Sequence, residues 1–496
     1  MQEKLHLYKL NGYNIAMDVN SGAIHEVDDE TYAVLEYLRD NILSNDTENE
    51  MAGESADRTA FNTAVVPLDE KSRNYVMNEL RREFITEGRS DINITEKDLE
   101  EIMEDVFELM DTGQLFSDDE FEDLAQELKE KQSVLKAMCL HVAHSCNMDC
   151  EYCFAGKGEY HGKAGLMSYE TGKAAIDYLV ANSPGRRNLE VDFFGGEPLL
   201  NWEVVKQLVA YGRSIEKDAG KNFRFTITTN GLLINDEVIE FCNREMGNVV
   251  ISLDGRKQTN DNMRHTKDGG GTYDLIIDKF KRFVHARKGE YYMRGTYTAY
   301  NKDFTEDLCH MADEGFSELS IEPVVAPPEA EYALKTADAG VLCEQYEKLA
   351  VEMIKRRDEG KGFSFYHYTI DFEGGPCIAK RISGCGVGTE YMAVTPEGDI
   401  YPCHQFVGEE DFIMGNIYDG ITRPEVRGMF ADCNVYSHEE CRDCFARLYC
   451  SGGCSANAYH STGSVSGVYE LGCILHRKRL ECAIMMKVDE ENKRIQ

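Results

Sequence analysis

Three cysteines stand within eight residues, Cys146-x3-Cys150-x2-Cys153, with Tyr152 directly before the last. Thiolates at that spacing can wrap one metal cluster, and the chain holds seventeen cysteines in all. A second group is longer: Cys385-x12-Gly398-x4-Cys403, then Cys441-x2-Cys444-x5-Cys450-x3-Cys454, then Cys473 after a gap. Cys377, eight residues before Cys385, is a further candidate ligand. A chain of 496 residues has no need of disulfides for stability, and clustered thiols in a reducing compartment point to metal or iron–sulfur ligation. On spacing alone, the first three also fit a zinc site lacking its fourth ligand, or unrelated buried thiols. A zinc ribbon would account for Cys441 and Cys444, but not for the whole ordered series. Cys139, Cys242, Cys309, Cys343, Cys433 and Cys482 share no such spacing and are expected to be buried hydrophobes.

The elements that must position these thiols follow from periodicity. Strands are expected at 137–143, 189–194, 223–228, 248–253, 293–298 and 318–324, and helices at 168–182, 202–218, 235–245, 273–288, 303–315 and 340–358. Six βα units imply an α/β fold with a parallel sheet, doubly wound or curled into a barrel; periodicity alone favours doubly wound. Either way the functional edge is the carboxyl end of the strands. The Cys146 loop follows the first strand there. The second strand ends Phe193-Phe194-Gly195-Gly196-Glu197-Pro198, a flexible segment whose exposed amides and carbonyls, with Glu197, can receive an amino group. The third ends Thr228-Thr229-Asn230-Gly231 and the fourth Ser252-Leu253-Asp254-Gly255. Arg294 and Thr296 lie on the fifth; Arg294 can meet a carboxylate in a bidentate pair, an internal ion pair being the ordinary alternative.

Before this core, strand-like runs at Leu5 to Leu10, Tyr13 to Val19 and Ala23 to Val27 flank an Asn11-Gly12 hairpin signal. A helix is expected from about Glu30, capped by Asp28 or Asp29, then a mobile insertion over about 44–66 and a helical pattern over 68–90. Between Glu96 and Glu130 there are fifteen acidic residues against two lysines, which suggests a solvated helical connector with a capping box at Ser117-x-x-Glu120. After about 376, periodicity weakens and ten cysteines accumulate, so that region is expected to be loop-rich and organised by ligands. The formal charge of −36 argues against a phosphate-backbone binder or an anionic-membrane surface, so neither nucleic acid nor membrane is expected as partner. Mean hydropathy is −0.45, no apolar run approaches the roughly 20 residues of a membrane span, and the start lacks a signal-peptide core. A cytoplasmic location is expected.

CxxxCxxC with an aromatic before its last cysteine, followed one unit later by GGEP, resembles the radical S-adenosylmethionine (SAM) superfamily. That resemblance implies a [4Fe–4S] cluster held by Cys146, Cys150 and Cys153, with one iron left open for the amino and carboxylate groups of SAM. It also implies a partial (β/α)6 barrel instead of a doubly wound sheet. Gly195, Gly196, Glu197, Ser252, Asp254 and Arg294 are the candidate cofactor contacts, and no catalytic base is assigned. The later cysteines resemble the SPASM extension of peptide-modifying radical SAM enzymes, which carries two auxiliary [4Fe–4S] clusters. Carried over, the first uses Cys385, Cys403 and Cys454, with or without Cys377; the second uses Cys441, Cys444, Cys450 and Cys473. Without Cys377, the first auxiliary cluster keeps an open iron for a substrate thiolate.

The opening LHLYKLNGYNIAMDVNSGAIHEVDDETY resembles the winged-helix-like leader-recognition element of SCIFF peptide maturases, and PCIAKRISGCGVGTEYMAVTPEGDIYPCHQF extends that resemblance. The implied organisation is recognition element 1–92, acidic connector 93–134, radical SAM core 135–370 and SPASM domain 371–496. The implied reaction is radical thioether formation in a cysteine-rich precursor peptide carrying a leader, with ferredoxin or flavodoxin as electron donor. SAM would be cleaved to methionine and a 5′-deoxyadenosyl radical. Sulfatase-maturing relatives have an Asp after the cysteine matching Cys403; His404 and Gln405 stand here, which weakens formylglycine formation. A carbon–carbon link, epimerisation, side-chain oxidation and a non-catalytic iron–sulfur electron carrier are the alternatives. The charge further suggests a basic leader whose binding weakens with salt.

Overall fold

The computed structural model describes residues 3–43, 68–87, 92–130, 134–160, 162, 164–372 and 377–495; the insertion expected over 44–66 lies outside them. At the amino end, strands Leu5–Leu10, Tyr13–Asp18 and Ile24–Val27 form an antiparallel sheet in sequence order. Asn11 and Gly12 both take positive φ (52° and 84°), the geometry that a two-residue hairpin turn requires between Leu10 and Tyr13. Asp28 caps helix Asp29–Tyr37 by accepting from Thr31 N at 2.7 Å.

Helix Glu96–Asp111 departs from the connector reading. Leu99, Met103, Val106 and Met110 recur at i, i+4, i+7 and i+11, and this stripe is buried with Leu5, Val34, Leu35, Val76 and Leu80. The acidic residues occupy the opposite face, so charge density concealed an amphipathic helix of the amino-terminal core. Its capping box is Thr95 with Asp98. Residues 117–120 form no cap: Ser117 instead donates its amide and hydroxyl to the buried Asp18, and the next helix starts at Glu122.

Six parallel core strands, Ala137–His144, Asn188–Gly195, Asn222–Thr229, Met246–Ser252, Glu290–Tyr297 and Glu318–Pro323, lie side by side in chain order. A helix follows each: Tyr169–Ala181, Trp202–Ala219, Asp236–Glu245, Tyr273–Ala286, Phe304–Asp313 and Ala339–Asp358. The strand order never reverses, so the sheet is singly wound and the doubly wound alternative falls. Alternation is plain in Glu290–Tyr297, where Tyr291, Met293 and Tyr297 are buried toward the helices while Arg294 is exposed on the other face.

The carboxyl-terminal region is joined to this sheet. Strand Tyr391–Val394 pairs in parallel with Ala137–Leu140 on the free side of the first core strand, and Asp399–Tyr401 continues antiparallel. A 26-residue helix, Glu470–Ile495, closes the molecule. Its buried set (Leu471, Leu475, Arg479, Leu480, Cys482, Ala483, Ile484, Met485, Asp489) covers several faces. The helix is wedged between the amino-terminal sheet and the core: Tyr8 Oη donates to Glu481 O at 3.0 Å and Tyr13 Oη to Asp489 Oδ1 at 2.9 Å. Burial on several faces weakens amphipathic periodicity, which is why the sequence showed only a loop-rich region here. Leu475 is 0% exposed, so Leu475→Ala should cost about 2–5 kcal/mol of stability, measured by chemical denaturation.

Candidate active site

The cysteine loop leaves the first core strand at His144, where the pairing register slips between His141 and Ala143. Strand Met148–Cys150 returns and pairs antiparallel with Arg264–Thr266, setting Cys150 opposite Arg264. Cys146, Cys150 and Cys153 are all half-buried. Cys146 Sγ accepts from Met148 N at 3.4 Å and from Asn230 Nδ2 at 3.7 Å. Burial raises the Cys146 thiol and pushes Cys150 up to about 12, with Arg264 opposing both shifts. Thiolates there need a cation beside them, which metal ligation supplies. Among the described residues, no three His, Cys, Asp or Glu side chains gather closely enough for a single metal ion. A four-iron cluster holds its thiolates farther apart than one ion does, so three half-buried thiols on one loop, with two N–H donors aimed at Cys146 Sγ, fit the cluster better than the zinc alternative.

The glycine-rich segment holds this loop by backbone contact. Gly196 N donates to Ala143 O at 2.7 Å and Glu197 N to Ser145 O at 2.9 Å. A Cβ on Gly195 would stand 2.2 Å from Ala143 O, and one on Gly196 would stand 2.2 Å from Ser145 O, so only glycine allows this approach. Tyr160 Oη donates to Gly195 O at 3.1 Å. Glu197 is fully buried; its carboxylate accepts from Leu199 N (3.0 Å), Thr229 Oγ1 (2.8 Å) and Asn230 N (2.8 Å).

Asp254 is likewise fully buried, accepting from Tyr152 Oη at 2.7 Å and Thr296 N at 3.0 Å. Tyr152 Oη in turn accepts from Arg264 Nη1 at 2.8 Å. Protein donors engage both carboxylates in this structure, three at Glu197 and two at Asp254. They brace the cysteine loop through Asn230 and Tyr152. The Gly196 and Glu197 amides are equally spent on that loop and do not face outward. Ser252 and Arg294 remain available, adjacent in register on neighbouring strands, with Arg294 exposed and Ser252 half-buried.

Several side chains at the site carry no spacing signal in the sequence. Arg264 is 7% exposed and its Nε lacks a hydrogen-bond partner. Glu322 lies near the end of the sixth strand, 3.2 Å from His367 Nε2 and 4.0 Å from Arg479 Nη1; the His367 ring and the Arg479 guanidinium hold its carboxyl at about 2 against the opposing effect of burial. His141 and His144 meet at 3.2 Å (Nδ1 to Nε2) beneath Tyr160.

The later cysteines fall into two sets. Cys403 is buried, and its thiol is raised by burial first and then by the charges of Cys454 and Cys385. Cys441 is pushed up to about 12 by burial, then by Cys450, Cys473 and Cys444. Cys377, Cys385 and Cys454 are exposed, Cys377 at the start of helix Ile378–Ser383. The remaining cysteines correct the expectation in part: Cys139, Cys242 and Cys482 are buried, whereas Cys309, Cys343 and Cys433 are only half-buried. His404 is half-buried against Phe194, its Nδ1 3.3 Å from Tyr391 Oη, and desolvation lowers it to about 4. Phe154, next to Cys153, meets the His404 ring at 6.0 Å, so the two thiol-bearing regions face each other.

Comparison with known proteins identifies both regions. Residues 140–313 match the radical SAM superfamily, and residues 385–445 match the SPASM iron–sulfur cluster-binding domain. The chain is 21% identical to the radical SAM cyclopropyl synthase TigE of Paramaledivibacter caminithermalis over 92% of this chain and 89% of that one. It is 25% identical to the serine-type anaerobic sulfatase-maturating enzyme of Bacteroides thetaiotaomicron, over 66% and 84% respectively. The fold matches the solved structure of anSMEcpe with bound AdoMet and Cp18Cys peptide, with a TM-score of 0.59 at 21% identity, covering 73% of this chain and 99% of that chain. The chain thus carries a radical SAM domain, which binds SAM and a [4Fe–4S] cluster, followed by a SPASM domain, which binds auxiliary iron–sulfur clusters. Among the described residues no helix is long and apolar enough to cross a membrane.

Burial holds His141 neutral, well below its ordinary value of 6.5. Below pH 6.5 the unfolded chain takes up a proton there that the folded chain refuses, so stability should fall with pH by about 1.4 kcal/mol per unit. Denaturation of wild type and His141→Gln across that range should show the variant losing one such slope.

Proposed function

We propose that this protein is a radical SAM maturase that joins cysteine sulfur to carbon within a ribosomally made, cysteine-rich peptide of the SCIFF type. The observation that carries this reading is the meeting of Phe154 and His404, which puts the residues beside Cys153 and Cys403 face to face. A substrate segment between them has one end at the SAM site and the other at the first auxiliary site. Cys146, Cys150 and Cys153 hold the SAM-site cluster; together with SAM it supplies hydrogen-atom abstraction from a substrate carbon. Ser252, Arg294 and the buried Arg264 cation offer polar contacts to SAM, while Gly195, Gly196, Glu197 and Asp254 fix the loop. Cys385, Cys403 and Cys454, with or without Cys377, form the first auxiliary site, and Cys441, Cys444, Cys450 and Cys473 the second.

Neutral His404 stands where sulfatase-maturing relatives place an acid, which supports sulfur–carbon coupling over oxidation to an aldehyde. The amino-terminal sheet supports a peptide substrate: Ile24–Val27 is an edge strand to which a leader can add by main-chain hydrogen bonds. A ferredoxin or flavodoxin supplies electrons, and the cytoplasm keeps the thiols reduced.

Coexpression with a cysteine-rich precursor peptide should yield a product lacking two hydrogens and one free thiol per link, read by mass spectrometry with thiol alkylation. Loss of hydrogens with every thiol retained, or unchanged mass, would reject the thioether. Joint replacement of Cys146, Cys150 and Cys153 by Ala should abolish deoxyadenosine formation while the iron held by the later cysteines remains, measured by chromatography and iron analysis.

A further inference from the structure

The turn that carries Cys441, Cys444 and Cys450 is walled on one side by the amino-terminal module. His6, on the first strand, stacks flat on Phe445, with ring centroids 3.5 Å apart and planes 5° from parallel. Gly22 lies beneath Tyr449, whose hydroxyl would stand 2.9 Å from a Cβ there. The side chain of Arg447 is 0% exposed. Its guanidinium donates to Asn20 Oδ1, to Asp119 Oδ2 at 3.3 Å, and back to the carbonyl of Cys444 at 3.5 Å. Asp119 also accepts from Tyr436 Oη, at 2.8 Å and 2.9 Å to its two oxygens. Arg447 Nε is buried without a hydrogen-bond partner, and the Asp119 carboxylate 3.3 Å from Nη2 is the counter-charge beside this cation.

We propose that Asp119 is a positioning residue for the second auxiliary cluster: it orients and neutralises Arg447, so that a residue outside the SPASM domain sets the cluster's reduction potential. The inference rests on the reading that Cys441, Cys444, Cys450 and Cys473 hold that cluster. Potentials of iron–sulfur clusters follow local charge and hydrogen bonding, and a buried charge that loses its partner acts at low dielectric. Asp119→Asn keeps the size of the side chain but leaves Arg447 uncompensated, which favours the reduced, more negative cluster and raises its midpoint. Arg447→Gln removes the positive charge beside the cluster and lowers the midpoint. The double variant removes both charges and should return toward the wild-type midpoint.

The experiment is an anaerobic redox titration followed by electron paramagnetic resonance. It uses the full-length reconstituted chain with Cys146, Cys150 and Cys153 replaced by Ala, to silence the SAM-site signal. Cys444→Ala identifies the signal of interest. Opposite shifts in Asp119→Asn and Arg447→Gln, near cancellation in the double variant and restoration by Asp119→Glu are expected. Should Asp119→Asn fail to fold, the Arg447→Gln and double variants carry the same comparison. A Cys444-dependent signal whose midpoint ignores these charges overturns the positioning role. Absence of any Cys444-dependent signal overturns the cluster assignment beneath it, and the two failures are distinct.

Discussion

The parallel pairing of Tyr391–Val394 with Ala137–Leu140 is the constraint on which the site depends. The first core strand thereby has partners on both sides, Asn188–Gly195 on one and the carboxyl-terminal strand on the other. It emits the cysteine loop at its carboxyl end, and the strand beside it turns back through the antiparallel Asp399–Tyr401 before Cys403 and His404. Residues beside thiols more than two hundred positions apart in the chain, Phe154 and His404, meet across this pairing. An all-buried first strand makes a one-residue slip costly, because every side chain would change faces.

Around that edge, charge is buried where it can brace the backbone and left open where a ligand can use it. Glu197 and Asp254 each accept several protein donors and lock the loops carrying Asn230 and Tyr152 against the cysteine loop. Arg294 is exposed on the fifth strand, and Arg264 keeps an unpaired Nε. Buried carboxylates of this kind are stable only when their lone pairs are satisfied, and here most donors come from neighbouring βα units. The same demand explains why glycine recurs where the second strand ends: side chains there would collide with the Ala143 and Ser145 carbonyls.

The amino-terminal module is fastened to the auxiliary-site region by packing as well as charge. His6 on Phe445 joins the first strand to that region, while Tyr8 and Tyr13 bond the long terminal helix. The amino-terminal sheet and the turn bearing Cys441 to Cys450 therefore pack together, although the sequence separates them by four hundred residues.

Local pattern determined much of this protein. The six strand–helix repeats, the Asn11-Gly12 hairpin, the Asp28 cap and the ordered cysteine series were legible because each depends on neighbours within a few residues. Helix Glu96–Asp111 was hidden by its acidic face, and Glu470–Ile495 by burial on several sides, since both patterns make sense only against their partners. The sequence also marked Glu197 and Asp254 as notable without saying that they face inward, and it gave no sign of Arg264, Glu322 or the Asp119–Arg447 pair. Residue type records what a side chain can do chemically; which donors satisfy it, and whether any capacity is left for a ligand, depends on long-range contacts that only the tertiary structure decided.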